Sequence, residues 1–247
     1  MVQQRKWPAS REEAKRDHRK IKAVADRLRN AHPQDIIRWG TEQLGVSSLA
    51  LACSFGYEDV ALLDMALKVN PDLDVFYLDT QLHFKETYEV RDRLSRKYQK
   101  EFIRVLPDLT LEEQAAVYGK ELWKTDPNRC CRLRKVEPLR KFLQNYHGWI
   151  TGIRREQAPT RAHAEVVEWD QGFQLIKLNP LAFWNKQQVW DYIMRNQLPY
   201  NTLHDRRYPS IGCEPCTRPV LPGEDSRAGR WSGTDKIECG LHNSPVN

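Results

Sequence analysis

Ser48-Leu49-Ala50-Leu51-Ala52-Cys53 leads directly into Ser54-Phe55-Gly56-Tyr57-Glu58-Asp59, and a helical pattern follows over residues 60–69. The first stretch is a short apolar run, which is typical of a strand buried on both faces of a sheet. A strand, a turn of small residues and a helix together aim free backbone N–H groups at an anion. The turn is neither a Walker loop, because it lacks Gly-Lys-Ser/Thr, nor a dinucleotide fingerprint. Taken alone, it is explained equally well as a plain strand-to-helix turn.

The alternation of strand and helix continues along the chain. Further strands are predicted at 74–80, 102–106, 148–153 and 174–178, and helices at 83–98, 130–146 and 186–197. This order predicts an α/β fold, a mostly parallel twisted sheet with helices on both faces. Ligands bind such sheets beyond the carboxyl ends of the strands, so residues 54–59, 78–80 and 152–155 should converge on one crevice. The loop after the fourth strand adds three arginines, Arg154, Arg155 and Arg161. Their position at the strand ends would suit a phosphate or sulfate, and the alternative is that they are only solvated charge.

Three segments are expected from these patterns: a helical arm at 1–45, the nucleotide-binding α/β domain at 46–198 and an irregular C-terminal segment at 199–247. The arm should contain an amphipathic helix that packs on the body, because one helical face carries Ile21, Val24, Ala25 and Leu28. A second helix is predicted at 33–44. The C-terminal segment is rich in Pro, Gly, Arg and Ser, and we expect a metal site to order it.

The charge of the chain is concentrated at its beginning. Residues 1–30 hold ten Lys or Arg and four Asp or Glu, which accounts for the whole formal net charge of +6. A nucleic-acid-binding protein would need a basic face on the body, so no nucleic-acid partner is expected. The chain has no signal-peptide core and no run near the roughly 20 apolar residues of a membrane span. The expectation is a cytoplasmic protein with no membrane partner.

Six cysteines stand out, and four of them form two pairs, Cys130-Cys131 and Cys213-Glu214-Pro215-Cys216. Four thiolates are the usual ligand set of an iron–sulfur cluster or a structural zinc ion. Adjacent cysteines reach one zinc ion poorly, whereas a 4Fe–4S cluster lets each thiolate take a different iron, so the pattern favours the cluster. Zinc and disulfide bonds remain the alternatives. Cys53 is interpreted as a buried apolar residue and Cys239 as a nucleophile.

These motifs together resemble the assimilatory adenylyl-sulfate (APS) reductases of the PAPS/APS reductase family, where PAPS is 3′-phosphoadenylyl sulfate. The resemblance covers about residues 47–242 in the order of the family's motifs, and it leaves out the N-terminal arm. It is carried by Ser54-Phe55-Gly56, Glu58-Asp59, Leu78-Asp79-Thr80, the two cysteine pairs, Thr151-Gly152, Arg154-Arg155, Thr160-Arg161 and Glu238-Cys239-Gly240-Leu241-His242.

The resemblance implies an adenine-nucleotide alpha-hydrolase-like fold and the reduction of APS to sulfite and AMP. It also implies thioredoxin, or a glutaredoxin-like protein, as electron donor and a 4Fe–4S cluster as cofactor. By match of motif, the cluster ligands would be Cys130, Cys131, Cys213 and Cys216. The catalytic residues would be Cys239, Lys135 and His242. The substrate would be held by Ser54, Gly56, Asp59, Leu78, Gly152, Arg161, Arg227 and Arg230, with Lys135 also on the phosphosulfate.

The expected reaction passes through an S-sulfocysteine on Cys239, which the donor thiol then releases as sulfite. Lys135 lies four positions after Cys131, on the same helical face, and is predicted to bridge cluster and substrate. The alternatives are PAPS reduction or use of both substrates, an adenylating sulfurtransferase or ligase, and a non-catalytic iron–sulfur sensor that binds nucleic acid. PAPS reductases related to this family lack the four cluster cysteines, which favours APS. A homo-oligomer is possible on the sequence alone.

Overall fold

The structure is a computed structural model that describes residues 11–242. The strands of this part of the chain are β1 (Leu49–Ala52), β2 (Asp74–Leu78), β3 (Ile103–Val105), β4 (Gly148–Ile150), β5 (Val167–Asp170) and β6 (Leu175–Leu178). They form one sheet in the order β3-β2-β1-β4-β6-β5. All neighbours are parallel except β5 and β6, which are antiparallel. The predicted α/β fold with a mostly parallel sheet is confirmed.

The α-helices described are α1 (Arg11–Arg16), α2 (His18–Leu28), α3 (Pro33–Leu44), α4 (Tyr57–Val69), α5 (Lys85–Tyr98), α6 (Leu111–Tyr118), α7 (Leu122–Thr125), α8 (Pro127–Cys131), α9 (Glu137–Leu143) and α10 (Lys186–Arg195). A π-helical turn, Arg132–Val136, joins α8 to α9, so the helix predicted at 130–146 is interrupted. Pro138 explains the interruption, because it has no N–H to donate to the carbonyl of Arg134. The N–H of Glu137 instead reaches back to the carbonyl of Arg132.

The core lies on both faces of the sheet because the side chains of each strand alternate between them. On β1, Leu49 and Leu51 point into a large cluster that helices α3, α4, α5 and α10 complete. Ala50 points to the opposite face, into a smaller cluster that contains Trp149 of β4 and Leu139 of α9. Both faces of β1 are therefore buried, as its continuous apolar sequence predicted.

The antiparallel strand β5 was not predicted. It pairs with β6 from Val167 opposite Leu178 to Asp170 opposite Leu175, across a tight turn in which Asp170 accepts the backbone N–H of Gly172 at 2.9 Å. Its four residues alternate between buried and half-buried, which is too short a pattern to separate from a loop. Helices α6 and α7, between the third strand and the first cysteine pair, were also missed.

The amphipathic helix predicted in the N-terminal arm is confirmed as α2, which buries Ile21, Val24 and Ala25 and packs on β5. The predicted division at residues 45 and 198 stays a prediction. Residues 1–10 of the predicted arm and 243–247 of the predicted C-terminal segment lie outside the described residues. None of the helices described is both long and apolar enough to cross a bilayer.

Candidate active site

The loop from Cys53 to Asp59 forms the floor of the site. Phe55 adopts a left-handed backbone conformation with φ of 61°, which is uncommon for a non-glycine residue. Its ring packs against Tyr77 at a centroid distance of 5.4 Å, and this contact helps to hold the turn. Asp59 closes the turn by accepting the backbone N–H of Ser54 at 2.7 Å and its hydroxyl at 2.6 Å. The turn therefore presents backbone N–H groups at the start of α4.

Gly152 faces Asp59 across the site, at the end of β4. A Cβ atom at position 152 would collide with Oδ1 of Asp59, so a close approach of the two segments requires glycine. The pKa of Asp59 is raised to about 6 by burial, which outweighs the opposing hydrogen bonds from Ser54, and the charge of Glu58 adds to the rise. Burial of a carboxyl group so near an expected phosphate is a feature that the sequence alone did not indicate.

A cavity of about 340 Å³ opens beyond the carboxyl ends of β1, β2 and β4. The loops after these strands form its floor, and residues 209–212, 226–230 and 239–242 of the C-terminal segment cover it. Every residue predicted for the substrate or the chemistry lines this cavity: Ser54, Gly56, Asp59, Leu78, Lys135, Gly152, Arg161, Arg227, Arg230, Cys239 and His242. The sequence thus selected residues that the fold brings together, whereas their individual roles stay predictions.

Each of the three loop arginines has a carboxylate partner in the protein, and that of Arg161 is Glu238. Arg154 is buried, and it donates to Oε1 of Glu58 at 3.0 Å and to the hydroxyl of Tyr57 at 2.8 Å. Arg155 does not line the cavity and forms an ion pair with Glu165 at 2.6 Å. The expectation that all three arginines would serve one anion is therefore wrong for Arg155. The Glu58–Arg154 pair is a buried part of the site that sequence reasoning missed.

The four paired cysteines line a second, smaller cavity beside the first. Cys130, Cys131 and Cys213 are buried, and Cys216 is half-buried. Burial first, and then the charges of the neighbouring sulfurs, raise the pKa of Cys130 to about 12 and that of Cys216 to about 11. These shifts favour the neutral thiol at Cys130 and Cys216, whereas a bound metal favours the thiolate.

The four cysteines are a donor set of the kind that an iron–sulfur cluster takes. Within residues 11–242, no group of three His, Cys, Asp or Glu side chains is arranged closely enough to hold a metal ion. Thr80 supports the site from outside, since its hydroxyl lies 3.3 Å from the Cys213 sulfur.

Arg134 is a further residue at this site that the sequence did not single out. Its guanidinium is buried and donates to the carbonyl of Thr80 at 2.7 Å and to the side-chain oxygens of Gln81 at 2.7 Å and Gln114 at 3.1 Å. All of these acceptors are neutral. Its position three residues after Cys131 could have indicated a role at this site. Its hydrogen-bond partners could not be predicted, because they come from distant segments of the chain.

Lys135 lines both cavities, and it forms no ion pair with a carboxylate of the described residues. Burial acts to lower its pKa, but the nearby sulfurs of Cys213, Cys131 and Cys239 raise it above its usual value overall. The ammonium group therefore stays charged between the cysteine quartet and the larger cavity.

Arg230 is another cation that lines the cavity, and it forms no ion pair with a carboxylate in the described part of the chain. It donates to the hydroxyl of Ser210 at 3.2 Å and lies 4.4 Å from the ring centroid of Trp231. Its Nε is buried and has no hydrogen-bond partner among residues 11–242. A bound anion would satisfy this group.

Cys239 reaches the cavity from the C-terminal segment, and its neighbours hold that segment in place. Glu238 forms ion pairs with Arg161 at 3.0 Å and with Arg227 at 3.4 Å. His242 stacks on Trp149 with a centroid distance of 5.8 Å. The pKa of His242 lies well below its usual value because of burial first and then the charges of Arg161, Lys177 and Arg227, so the ring is neutral.

A mostly parallel sheet with a cavity beyond the carboxyl ends of its strands, and a cysteine quartet in a smaller cavity beside it, is typical of a nucleotide-binding α/β protein. The sequence profile of the phosphoadenosine phosphosulfate reductase domain matches residues 48–219. The chain belongs to the PAPS/APS reductase family, which confirms the resemblance drawn from its motifs.

Two relatives and one solved structure illustrate the match. The adenosine 5′-phosphosulfate reductase of Staphylococcus haemolyticus is 49% identical over 84% of this chain and 86% of its own length. That of Geobacillus thermodenitrificans is 51% identical over 84% of this chain and 88% of its own length. The crystal structure of phosphoadenylyl-sulfate (PAPS) reductase from Candida auris, a phosphate complex, superposes with a TM-score of 0.71 at 30% identity, covering 80% and 96% of the two chains.

Proposed function

We propose that this chain reduces adenylyl sulfate to sulfite and AMP, with a thioredoxin-type dithiol as electron donor. The observation that supports this most is the position of Cys239, which lines a nucleotide-sized cavity together with Lys135, while four other cysteines form a separate site behind Lys135. The relatives named adenosine 5′-phosphosulfate reductase share about half of their residues with this chain.

The substrate would lie with its nucleotide on the loop from Ser54 to Asp59 and its phosphosulfate towards Lys135 and Arg230. Helix α4 begins at Tyr57 and contributes the positive end of its dipole to the anion. Lys135 and Arg230 supply positive charge that no carboxylate of the described residues neutralises. Charge held in place before the substrate arrives stabilises charge that develops on the leaving phosphate during the reaction.

In the first step the thiolate of Cys239 attacks the sulfonyl sulfur of the substrate. A bond forms between the two sulfur atoms, the bond from sulfur to the phosphate oxygen breaks, and AMP leaves with the electron pair. The enzyme is left with an S-sulfocysteine. Lys135 and Arg230 would orient the phosphosulfate for this attack and offset the negative charge gathered there.

In the second step a thiolate of the donor attacks the sulfur atom of Cys239, and sulfite leaves with the electron pair of the sulfur–sulfur bond. The second thiol of the donor then attacks the mixed disulfide and returns Cys239 to a thiol. The donor ends as a disulfide, so its two electrons account for the reduction of the sulfonyl group to sulfite. A dithiol protein of the thioredoxin or glutaredoxin type meets this requirement.

Cys130, Cys131, Cys213 and Cys216 would hold a 4Fe–4S cluster, with Thr80 and Arg134 supporting its ligands. Such a cluster supplies negative charge next to Lys135 when it is bound. Two side chains supply positive charge around it. Arg134 would place a buried positive charge behind the sulfurs, and Lys135 would hold its ammonium group between the quartet and the substrate.

The test is a side-by-side assay of the anaerobically purified protein with APS and with PAPS, using reduced thioredoxin and measuring AMP, or its 3′-phosphorylated counterpart, and sulfite. The proposal expects equal amounts of AMP and sulfite from APS, and no turnover for Cys239→Ser. Faster turnover of PAPS than of APS would contradict the substrate assignment. Sulfite released by the Cys239→Ser variant would contradict the intermediate.

A further inference from the structure

Glu238 is the residue next to the proposed nucleophile, and it is almost fully buried. Its side chain is 4% exposed, and the guanidinium of Arg161 grips both carboxylate oxygens, with Nε at 3.0 Å from Oε1 and Nη2 at 3.2 Å from Oε2. Arg227 adds an ion pair at 3.4 Å from Oε2 and donates to the backbone carbonyl of Ile237 at 3.1 Å. Thr160 donates its hydroxyl at 3.3 Å. A forked pair of this kind fixes orientation as well as charge.

The four cations predicted for the phosphosulfate therefore fall into two groups. Arg161 and Arg227 are neutralised in part by Glu238, whereas Lys135 and Arg230 have no carboxylate partner in the described part of the chain. Three of the five N–H donors of Arg161 form hydrogen bonds to Glu238 and Gln157, and the hydrogen bond to Gln157 is 2.6 Å long. The first group is built to hold a protein carboxylate, and the second group is open to an external anion.

The ion pairs also bridge two distant parts of the chain. Arg161 belongs to the short helical turn after β4, while Glu238 belongs to the C-terminal segment, and 77 positions separate them. Cys239 follows Glu238 directly, and Gly240 comes next with φ of 85°, a conformation that glycine adopts freely. Between the anchor and this bend, Cys239 faces the cavity.

We propose that Glu238 is a positioning residue: its ion pairs with Arg161 and Arg227 seat the Cys239 segment over the nucleotide cavity, and Lys135 with Arg230 carries the substrate anion. Arg161 and Arg227 then act on the reaction mainly by holding the nucleophile. This inference deepens the proposed function and rests on it for the chemical step, but the seating of the segment can be measured without any substrate.

The test compares wild type, Glu238→Gln and Glu224→Gln, each as the full chain purified anaerobically. Glu224 is a matched control in the same C-terminal segment. Arg218 donates to both of its carboxylate oxygens, from Nη1 to Oε2 at 2.9 Å and from Nη2 to Oε1 at 3.0 Å, and this pair lies outside the cavity. The first readout is the rate at which iodoacetamide alkylates Cys239, followed by mass spectrometry of its peptide. The second is the affinity for AMP, and the third is the single-turnover release of AMP from APS without a reductant.

The proposal expects Glu238→Gln to alkylate roughly tenfold faster at Cys239, because loss of a buried ion pair shifts the opening equilibrium of the segment. It expects AMP affinity within about twofold of wild type and single-turnover release slower by roughly tenfold. Glu224→Gln should match wild type in all three readouts. The double variant Arg161→Gln/Glu238→Gln should alkylate no faster than Glu238→Gln alone, because both changes remove the same contact.

Three results would overturn the proposal. An unchanged alkylation rate in Glu238→Gln would show that the ion pairs do not hold the segment. Much tighter AMP binding by that variant would mean that Glu238 competes with the substrate for the arginines. An equal rise in alkylation for Glu224→Gln would indicate general loosening. If alkylation and AMP binding behave as expected but wild type releases no AMP from APS, the seating stands and the proposed function fails.

Discussion

At the scale of single residues, the cations of the site differ in whether a carboxylate of the protein is paired with them. Lys135 and Arg230 face the cavity without a carboxylate among the described residues, whereas Arg154, Arg161 and Arg227 each have one. The sequence identified most of these cations by their place in motifs. It could not reveal their pairing, because Glu58 and Glu238 meet their arginines only through the fold.

Replacing Lys135 with alanine removes a half-buried positive charge that lines both the larger cavity and the cavity of the cysteine quartet. We expect turnover to fall by about a hundredfold or more, as when a preorganised group that stabilises developing charge is removed. Iron content and the visible chromophore should persist, since Lys135 is no ligand. Lys141→Ala is the control, because Lys141 pairs with Asp108 at an exposed site on α9. Normal turnover of Lys135→Ala would exclude the bridging role.

Asp59 makes stability depend on pH. Its pKa is about 6 in the folded protein, above the value of an exposed carboxyl, so ionisation costs the folded state free energy between about pH 4 and pH 6. Asp59→Asn lacks this cost and can still accept the hydrogen bonds from Ser54. The free energy of unfolding of this variant, relative to that of wild type, should rise as pH rises from about 4 to about 6 and stay constant above about pH 6. Urea unfolding of both proteins at several pH values measures the difference in free energy of unfolding. A difference that does not change with pH would contradict the raised pKa of Asp59.

At the scale of elements, the strand-to-helix unit from β1 to α4 fixes the site, and its neighbours complete it. The continuous apolar run of β1 and the turn after it were readable because their pattern is local. Strand β5 was not readable, because its four residues owe their conformation to pairing with β6. The π-helical turn at Arg132–Val136 was missed, although its cause is local: Pro138, in the first turn of α9, has no N–H for the carbonyl of Arg134.

Two of the glycines that line the cavity, Gly56 and Gly152, have different roles, which gives a prediction for this unit. Gly152→Ala should destabilise the fold by roughly 1–3 kcal/mol, because its Cβ would collide with Asp59. Gly56→Ala should leave stability nearly unchanged, since its Cβ would lie 3.5 Å from the Ser54 hydroxyl, an ordinary contact. If the backbone near Gly56 approaches the nucleotide, this variant should lose AMP affinity. Thermal unfolding and calorimetry with AMP separate the two effects, and equal stabilities would refute the steric argument.

At the scale of the whole molecule, three segments far apart in sequence build the quartet and its surroundings. The backbone N–H of Glu214 donates to the carbonyl of Leu82 at 2.7 Å, and the hydroxyl of Thr80 contacts Cys213. Helix α8, which ends with Cys130 and Cys131, completes the group. The motif resemblance predicted this assembly, but composition and spacing alone left zinc and disulfide bonds open.

The quartet is tested by counting iron and acid-labile sulfide in single variants. Serine at any one of the four paired cysteines should remove most of the iron and the brown colour, because each thiolate is needed for its own iron. Cys53→Ala and Cys239→Ser should keep both, because Cys53 is buried in the core and Cys239 faces the other cavity. A colourless, zinc-loaded wild type would refute the cluster.

The measurement that tests the central claim most directly is the mass of the anaerobically purified protein after reaction with APS and no reductant. The account predicts that each active chain gains one sulfonate group, that peptide mapping places it on Cys239, and that reduced thioredoxin removes it as sulfite. A sulfonate on any other cysteine, or AMP released with no gain of mass, would contradict the account.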